Sequence, residues 1–122
     1  MKIAIASDDR INICPHFGRA TGFEIAEIED DKIITREFRP NDFTGHARDD
    51  HDASHEDKHA IIVNALKDCK AVIANGMGLR IQNDLRAAGI EAFLTDETVV
   101  EAAIDKYIKG SLDNNPERGC SH

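Results

Sequence analysis

Residues 71–94 read AVIANGMGLRIQNDLRAAGIEAFL, and this stretch decides the fold. The short apolar run at 71–74 predicts a buried strand, and the glycines that follow it predict a tight turn. The amphipathic pattern of residues 79–88 predicts a helix, which Gly89 is expected to end. Residues 90–94 predict the next strand. A strand–turn–helix–strand unit of this kind is typical of α/β sheets with parallel strands.

The N-terminal part of the chain predicts three more strands. Lys2 to Ser7 alternates isoleucine with alanine and indicates a buried strand. Apolar residues recur between positions 23 and 28, and again from Ile33 to Phe38. Asp30-Asp31 separates these two runs and is a tight-turn signal, so the second and third strands are expected to form a hairpin.

Two further helices are predicted from their start signals. Ser54 is a suitable N-cap with acidic residues in the turn after it, and it predicts a helix to about Asp68. Thr95 or Asp96 is expected to cap a last helix that runs through Ile108 and stops at Gly110.

The resulting order, β-β-β-α-β-α-β-α, predicts the α/β class, with a mixed five-stranded sheet and flanking helices. One domain is expected over residues 1–110, and residues 111–122 are expected to form a flexible C-terminal tail. A chain of 122 residues leaves little room for a second domain.

Composition excludes some functions. The net charge is −8 and aromatic residues make up only 5%, so the surface repels phosphate backbones and offers no platform for stacking bases. A nucleic-acid partner is therefore not expected. No apolar run approaches the ~20 residues of a membrane span, and the odd number of cysteines favours free thiols in a reducing compartment. We expect a cytoplasmic protein with no membrane partner.

Side chains that bind metals are grouped in the sequence. The chain has six histidines and three cysteines, and Cys14-x-His16 and Cys120-x-His122 repeat one short pattern. Imidazole suits Zn, Cu, Fe and Ni, while thiolate suits Cu(I), Zn and iron–sulfur species. The remaining four histidines lie close together among several acids: His46, His51, His55 and His59.

The expected topology brings these donors towards one edge of the sheet. Three connections would all lie at the carboxyl ends of strands: the loops at 8–20 and 40–53 and the turn at 76–78. Ligands of open α/β sheets usually bind at these ends. About 12 tail residues at ~3.3 Å each span roughly 40 Å, against about 18 Å for a helix of ~12 residues. The tail is therefore long enough to bring Cys120 and His122 to the same edge.

Several short motifs, taken in order, carry a family resemblance. They are the first eight residues, the run His16-Phe17-Gly18-Arg19-Ala20, the turn Asn75-Gly76-Met77-Gly78 and the run Ala88-Gly89-Ile90. Together they resemble the dinitrogenase iron–molybdenum cofactor biosynthesis family, which includes NifX-like carriers and the C-terminal part of NifB. The resemblance covers roughly residues 1–110.

The resemblance implies a ribonuclease H-like fold and a non-catalytic protein. Such a protein binds an iron–sulfur or iron–molybdenum type cluster, or its precursor, and delivers it to a client or scaffold protein. A relative called the orange protein holds a molybdenum–copper sulfide cluster, so the resemblance leaves the cluster open. The histidine-rich insert at 46–59 and the ending Cys120-Ser121-His122 depart from the common pattern of the family.

The residues expected to hold the cluster fall into two groups. Backbone N–H groups at a helix N-terminus favour anions, and arginines add positive charge. The predicted cofactor-binding residues are Arg19, Gly76, Met77, Gly78 and Arg80. The predicted metal ligands are Cys14, His16, His51, His55, His59, Cys120 and His122.

Alternatives remain open at this point. The chain is also consistent with a metal-free interaction or regulatory module whose acidic surface docks a basic partner, and with a buffer of single Zn, Ni or Cu ions in the histidine-rich loop. Gly76-x-Gly78 lacks the third glycine and the downstream acid of a dinucleotide loop, so a tight turn is favoured. Catalysis is disfavoured, because a Cys14–His16 pair has no evident orienting group. Cys69 is expected to be buried, and the protein to be a monomer or weak homodimer.

Overall fold

The computed structural model describes residues 1–15, 17, 20–40 and 62–114. Within them, residues 62–65 are helical and lie between the third and fourth strands. The helices are α1 (Leu79–Ala87) and α2 (Val100–Ile108). The strands are β1 (Lys2–Ser7), β2 (Gly22–Glu29), β3 (Lys32–Pro40), β4 (Cys69–Ala74) and β5 (Glu91–Leu94).

The strands form one five-stranded sheet in the order β3-β2-β1-β4-β5. β2 is antiparallel to both β1 and β3, whereas β4 is parallel to β1 and to β5. This confirms the predicted α/β class and the mixed five-stranded sheet. Because β1, β4 and β5 run in one direction, their carboxyl ends share one edge of the sheet, which we call the rim.

The predicted hairpin between β2 and β3 is confirmed. Its two loop residues, Asp30 and Asp31, have φ angles of 52° and 62°. Two-residue hairpin turns of type I′ need positive φ at both positions, and aspartate tolerates that conformation better than most residues. Glu29 and Lys32 then form the first pair of the ladder, and the register shifts between Glu27 and Ile28.

Helical segments cover both faces of the sheet. On one face, α1 and the helical residues 62–65 contribute to an apolar cluster that includes Phe23, Leu66 and Leu85. On the other face, α2 packs Val100 and Ile104 against the isoleucines of β1. The alternating side chains of β1 supply both clusters, which explains why this strand reads as apolar throughout.

The predicted end of α1 is confirmed, whereas the predicted start of the last helix is wrong. Gly89 ends α1 with a φ of 83°, and the N–H of Ile90 donates to the carbonyl of Leu85 at 2.9 Å, as in a Schellman motif. The predicted cap of the last helix at Thr95 or Asp96 is wrong, because α2 begins at Val100 and no side chain caps it. The Thr95 hydroxyl instead accepts the N–H of Glu97 at 3.1 Å, a local turn that postpones the helix.

No helix in the described ranges is both long and apolar enough to cross a membrane.

Candidate functional site

Two connections meet at the rim. The N–H of Cys14 donates to the carbonyl of Ala6 at 2.8 Å, which folds the loop after β1 back onto its own strand. The N–H of Phe17 donates to the carbonyl of Gly76 at 2.9 Å. The loop with the predicted ligand Cys14 therefore contacts the turn with the predicted cofactor-binding glycines.

The first part of the loop after β1 is held by Asp9. Its carboxylate accepts the backbone N–H of Asn12 at 2.7 Å and that of Ile11 at 2.9 Å. These hydrogen bonds, that of Asn12 first, lower the pKa of Asp9 to about 2. The Ser7 hydroxyl also donates to the carbonyl of Asn12 at 2.6 Å. The carboxylate of Asp9 is thus committed to the shape of this loop.

A buried carboxylate ties the same loop to the sheet. Glu24 on β2 is only 1% exposed, and its oxygens accept from Arg10 at 2.8 and 3.2 Å and from Arg36 at 2.8 Å. Two guanidinium groups therefore compensate the buried charge. This role of Glu24 is not predicted from the sequence. The available signal was a charged residue between Phe23 and Ile25 in an apolar strand.

The turn after β4 is held firmly on both sides. The side-chain amide of Asn75 donates to the carbonyls of Thr95 and Glu97 at 2.8 and 2.6 Å, and so joins the ends of β4 and β5. The buried amide of Gln82 donates to the carbonyl of Met77 at 3.0 Å. The Met77 side chain is 1% exposed, so a contribution of this residue to ligand binding would come from its backbone.

The N-terminus of α1 faces the rim without a capping side chain. Gly78 occupies the N-cap position, makes no side-chain hydrogen bond and is followed by no acidic residue in the first turn. Its φ of −62° is accessible to any residue, and a Cβ atom built there would meet no atom of the described residues within 4 Å. Arg80 is exposed in the first turn. Among the described residues, no side chain therefore caps the positive end of the helix dipole.

The two described cysteines are both buried. Cys14 is 6% exposed and belongs to the apolar cluster that also contains Phe17 and Met77. Cys69 is 3% exposed, which confirms the prediction, and burial raises the pKa of its thiol to about 12. Its thiol therefore stays protonated and unreactive near neutral pH.

Most of the predicted ligands lie outside the described residues. They are His16, His51, His55, His59, Cys120 and His122. The predicted cofactor-binding residue Arg19 and the fourth clustered histidine, His46, also lie outside the described residues. Among the residues that the structure does describe, no group of three His, Cys, Asp or Glu side chains is placed to hold a metal ion. The roles of these residues as ligands therefore stay predictions.

Comparison with known proteins identifies the family. The sequence profile described as "Dinitrogenase iron-molybdenum cofactor" matches residues 1–110. The chain belongs to this family. An uncharacterized protein of Methanocaldococcus jannaschii is 27% identical over 113 residues, which are 93% of this chain and 90% of that protein.

Solved structures share the fold of this family member. The protein PH0822 superposes with a TM-score of 0.74 at 25% identity, with 94% of this chain and 95% of that chain covered. The apo form of the orange protein from Desulfovibrio gigas superposes with a TM-score of 0.69 at 20% identity, with 93% and 92% covered. The similarity to the orange protein concerns the fold alone.

Proposed function

We propose that this protein binds a cluster of the iron–sulfur or iron–molybdenum type, or its precursor, at the rim and delivers it to a client or scaffold protein. It catalyses no reaction of its own in this proposal. The observation that carries the proposal is the contact between the loop after β1 and the turn after β4, beside a helix N-terminus without a side-chain cap. Membership of the cofactor family supports the same role.

The electrostatics of this part of the rim favour an anionic ligand. The first N–H groups of a helix have no partners within the helix, and the helix dipole adds positive potential at the same place. Arg80 lies in the first turn of α1, and Arg19 is a second proposed source of positive charge. Sulfide clusters are anionic, so these groups attract the cluster while soft donors ligate its metals.

The proposed ligands come from two segments. Cys14 and His16 belong to the loop after β1, and His51, His55 and His59 precede β4 in the sequence. Cys14 packs in the apolar cluster, so its sulfur becomes a ligand only if the loop adjusts on binding. Cys120 and His122 are further proposed ligands, because about 12 residues follow the last helix and could reach the rim when extended.

We also propose a ribonuclease H-like fold and a cytoplasmic location for this protein. The central position of β1, with an antiparallel hairpin on one side and two parallel strands on the other, supports a ribonuclease H-like arrangement. The buried thiol of Cys69 forms no disulfide, which supports a reducing, cytoplasmic location.

Anaerobic reconstitution with iron and sulfide, with and without molybdate, tests the function. We expect charge-transfer absorption and bound metal in the wild-type protein, with a large loss in His16→Ala and in Cys14→Ser. Cys69→Ala is the matched control, since it removes a buried thiol distant from the rim. Absence of bound metal under every anaerobic condition would refute the proposal.

A second experiment separates a cluster carrier from a buffer of single ions. Calorimetry with Zn²⁺ or Ni²⁺ is compared between the wild-type chain and a variant in which His46, His51, His55 and His59 are all alanine. A carrier binds single ions weakly and loses mainly cluster content in the variant. Tight binding of single ions, abolished in the variant, would favour the buffer.

A further inference from the structure

The loop after β1 contains a residue in an unusual backbone conformation. Arg10 has a φ of 69°, in the left-handed region that residues with a Cβ atom rarely adopt. Such a conformation persists where the surrounding contacts outweigh its cost. The backbone N–H of Arg10 donates to the hydroxyl of Ser7 at 2.9 Å, and its guanidinium reaches across to Glu24 on β2. The contacts of this one residue therefore hold the loop against the sheet.

The side chain of Arg10 contacts both strands of the hairpin. Its Nε and Nη2 atoms donate to the two carboxylate oxygens of Glu24 at 2.8 and 3.2 Å, so the pair is bidentate. The same guanidinium lies 6.0 Å from the ring centroid of Phe38 on β3. Arg36 donates only to the Oε2 atom of Glu24, so Oε1 depends on Arg10. Because Glu24 is buried, separating Arg10 from it would leave a buried charge incompletely paired, and this opposes opening of the loop.

The segment that follows Arg10 also holds the rim end of α2. The carbonyl of Ile11 accepts the N–H of Val100 at 2.8 Å, and the N–H of Ile13 donates to the carbonyl of Thr98 at 2.8 Å. Val100 is the first residue of α2, and no side chain caps this helix, so the loop supplies a backbone partner for its first N–H group. The position of the connection between β5 and α2 is thus coupled to that of Arg10.

Cys14 directly follows this segment. Its side chain is 6% exposed and lies in the apolar cluster that also contains Phe17 and Met77. A sulfur atom in this position reaches a ligand at the rim only if the residues around it move. The contacts of Arg10 and of residues 11–13 oppose that movement, because they fix the chain on the N-terminal side of Cys14. We call the observed conformation of residues 8–14 the closed loop.

We propose that Arg10 is a positioning residue that stabilises the closed loop and thereby favours release of the cluster. Ligation by Cys14 requires the loop to open, so the separation of Arg10 from Glu24 lowers the apparent affinity for the cluster. When the pair forms again, Cys14 returns to the core and the cluster loses a ligand, which is useful in a protein that delivers its cargo. The part of this inference that concerns release rests on the proposed function, whereas the effect of Arg10 on the burial of Cys14 does not.

Thiol labelling tests the closed loop without any metal. In the full chain carrying Cys69→Ala and Cys120→Ala, Cys14 is the one remaining thiol, and its rate of reaction with a maleimide is measured. We expect Arg10→Met to accelerate the labelling about tenfold, because hydrogen bonds to a buried charged group are lost. Arg39→Met breaks another bidentate arginine–carboxylate pair that begins on β3, and this control should label at the wild-type rate.

A double-mutant cycle separates the effect of this pair from a general loss of stability. Glu24→Gln should accelerate the labelling of Cys14 when Arg10 is present. It should have little further effect in the Arg10→Met background, because the same pair is already broken. Additive effects of the two substitutions on the labelling rate would refute the proposed role of the pair, and so would an unchanged rate in Arg10→Met.

The expected effect on the cluster is opposite in sign to that of structural damage. After anaerobic reconstitution with iron and sulfide, Arg10→Met with all its cysteines should retain metal longer than the wild-type chain in the presence of an iron chelator. A variant whose site is merely damaged loses metal sooner, so faster loss in Arg10→Met would overturn the role in release. Absence of bound metal in every chain would refute the proposed function and the role in release together. The labelling rates would then still decide whether Arg10 holds the loop closed.

Discussion

Gly22, at the start of β2, lies where the neighbouring strand β3 leaves no room for a larger residue. A Cβ atom at this position would collide with the ring of Phe38 and lie 2.8 Å from the carbonyl oxygen of Arg39. We expect Gly22→Ala to lower the free energy of unfolding by about 1–3 kcal/mol, as overpacked cores do. Urea denaturation measures it, with Gly78→Ser as the control, because position 78 has open space. Equal stability of the two variants would contradict the clash.

Gly78 allows the anion-binding proposal to be tested at one residue. Aspartate and asparagine are both good N-caps, so Gly78→Asp and Gly78→Asn should keep or slightly raise the free energy of unfolding, by a few tenths of a kcal/mol. Aspartate also puts a negative charge at the helix N-terminus, where it competes with an anionic cluster. We expect reconstituted metal content to fall much further in Gly78→Asp than in Gly78→Asn. Equal metal content in the two variants would mean that the cluster does not use this helix end.

At the scale of elements, Arg39 joins β3 to the end of the helical segment before β4. Its guanidinium donates to the carbonyl of Ala65 at 2.7 Å and to both carboxylate oxygens of Asp68 at 3.0 and 3.1 Å. The hydrogen bonds from Arg39 lower the pKa of Asp68 from 3.8 to about 2. The folded state therefore holds this proton less tightly than the unfolded chain. The stabilisation is present above pH 3.8 and is lost as the pH falls towards about 2.

The pair predicts a pH dependence that one substitution removes. Asp68 is 43% exposed, so we expect a contribution of at most about 1 kcal/mol near neutral pH. Urea denaturation at about pH 5 and about pH 3 should show a smaller loss of stability in Arg39→Met than in the wild-type chain. Lys109→Met, which breaks an exposed pair with Asp105, is the control and should keep the wild-type dependence. An unchanged pH dependence in Arg39→Met would refute the role of the pair.

Local sequence patterns predicted most of the helices and strands. They failed where contacts with residues distant in the sequence determine the structure. The bounds of β1, the aspartate turn and the glycine after α1 follow from side-chain pattern and backbone preference, and all were predicted. The start of α2 was missed, because Thr95 is engaged by Glu97 and by Asp113. Glu24 was missed as a buried residue, because its compensation comes from Arg10 in another segment. Neither partner is visible in a local sequence window.

At the scale of the whole molecule, strand order creates the rim. β1 lies between the hairpin and the two later strands, so the loop after β1 touches the turn after β4 although they are far apart in the sequence. The shared edge was predicted from the element order. Three features depend on tertiary packing: the contact between Phe17 and Gly76, the bridge from Asn75 to the end of β5, and the return of residues 111–114 to β5. The candidate site was thus predicted as a location and not as a set of contacts.

The rim proposal predicts where a bound cluster stabilises the fold. A ligand that binds only the folded state adds about 2.7 kcal/mol to the free energy of unfolding at 100 times its dissociation constant. A ligand at the rim should slow amide exchange most in the segments around residues 8–15, 75–80 and 95–98. The hairpin turn at Asp30-Asp31 lies at the opposite edge of the sheet and serves as the internal reference. Exchange measured anaerobically on reconstituted and metal-free protein makes this comparison. Slowing at the hairpin as strong as at the rim would assign the cluster to another surface, since a local ligand protects the amides it contacts before those across the sheet.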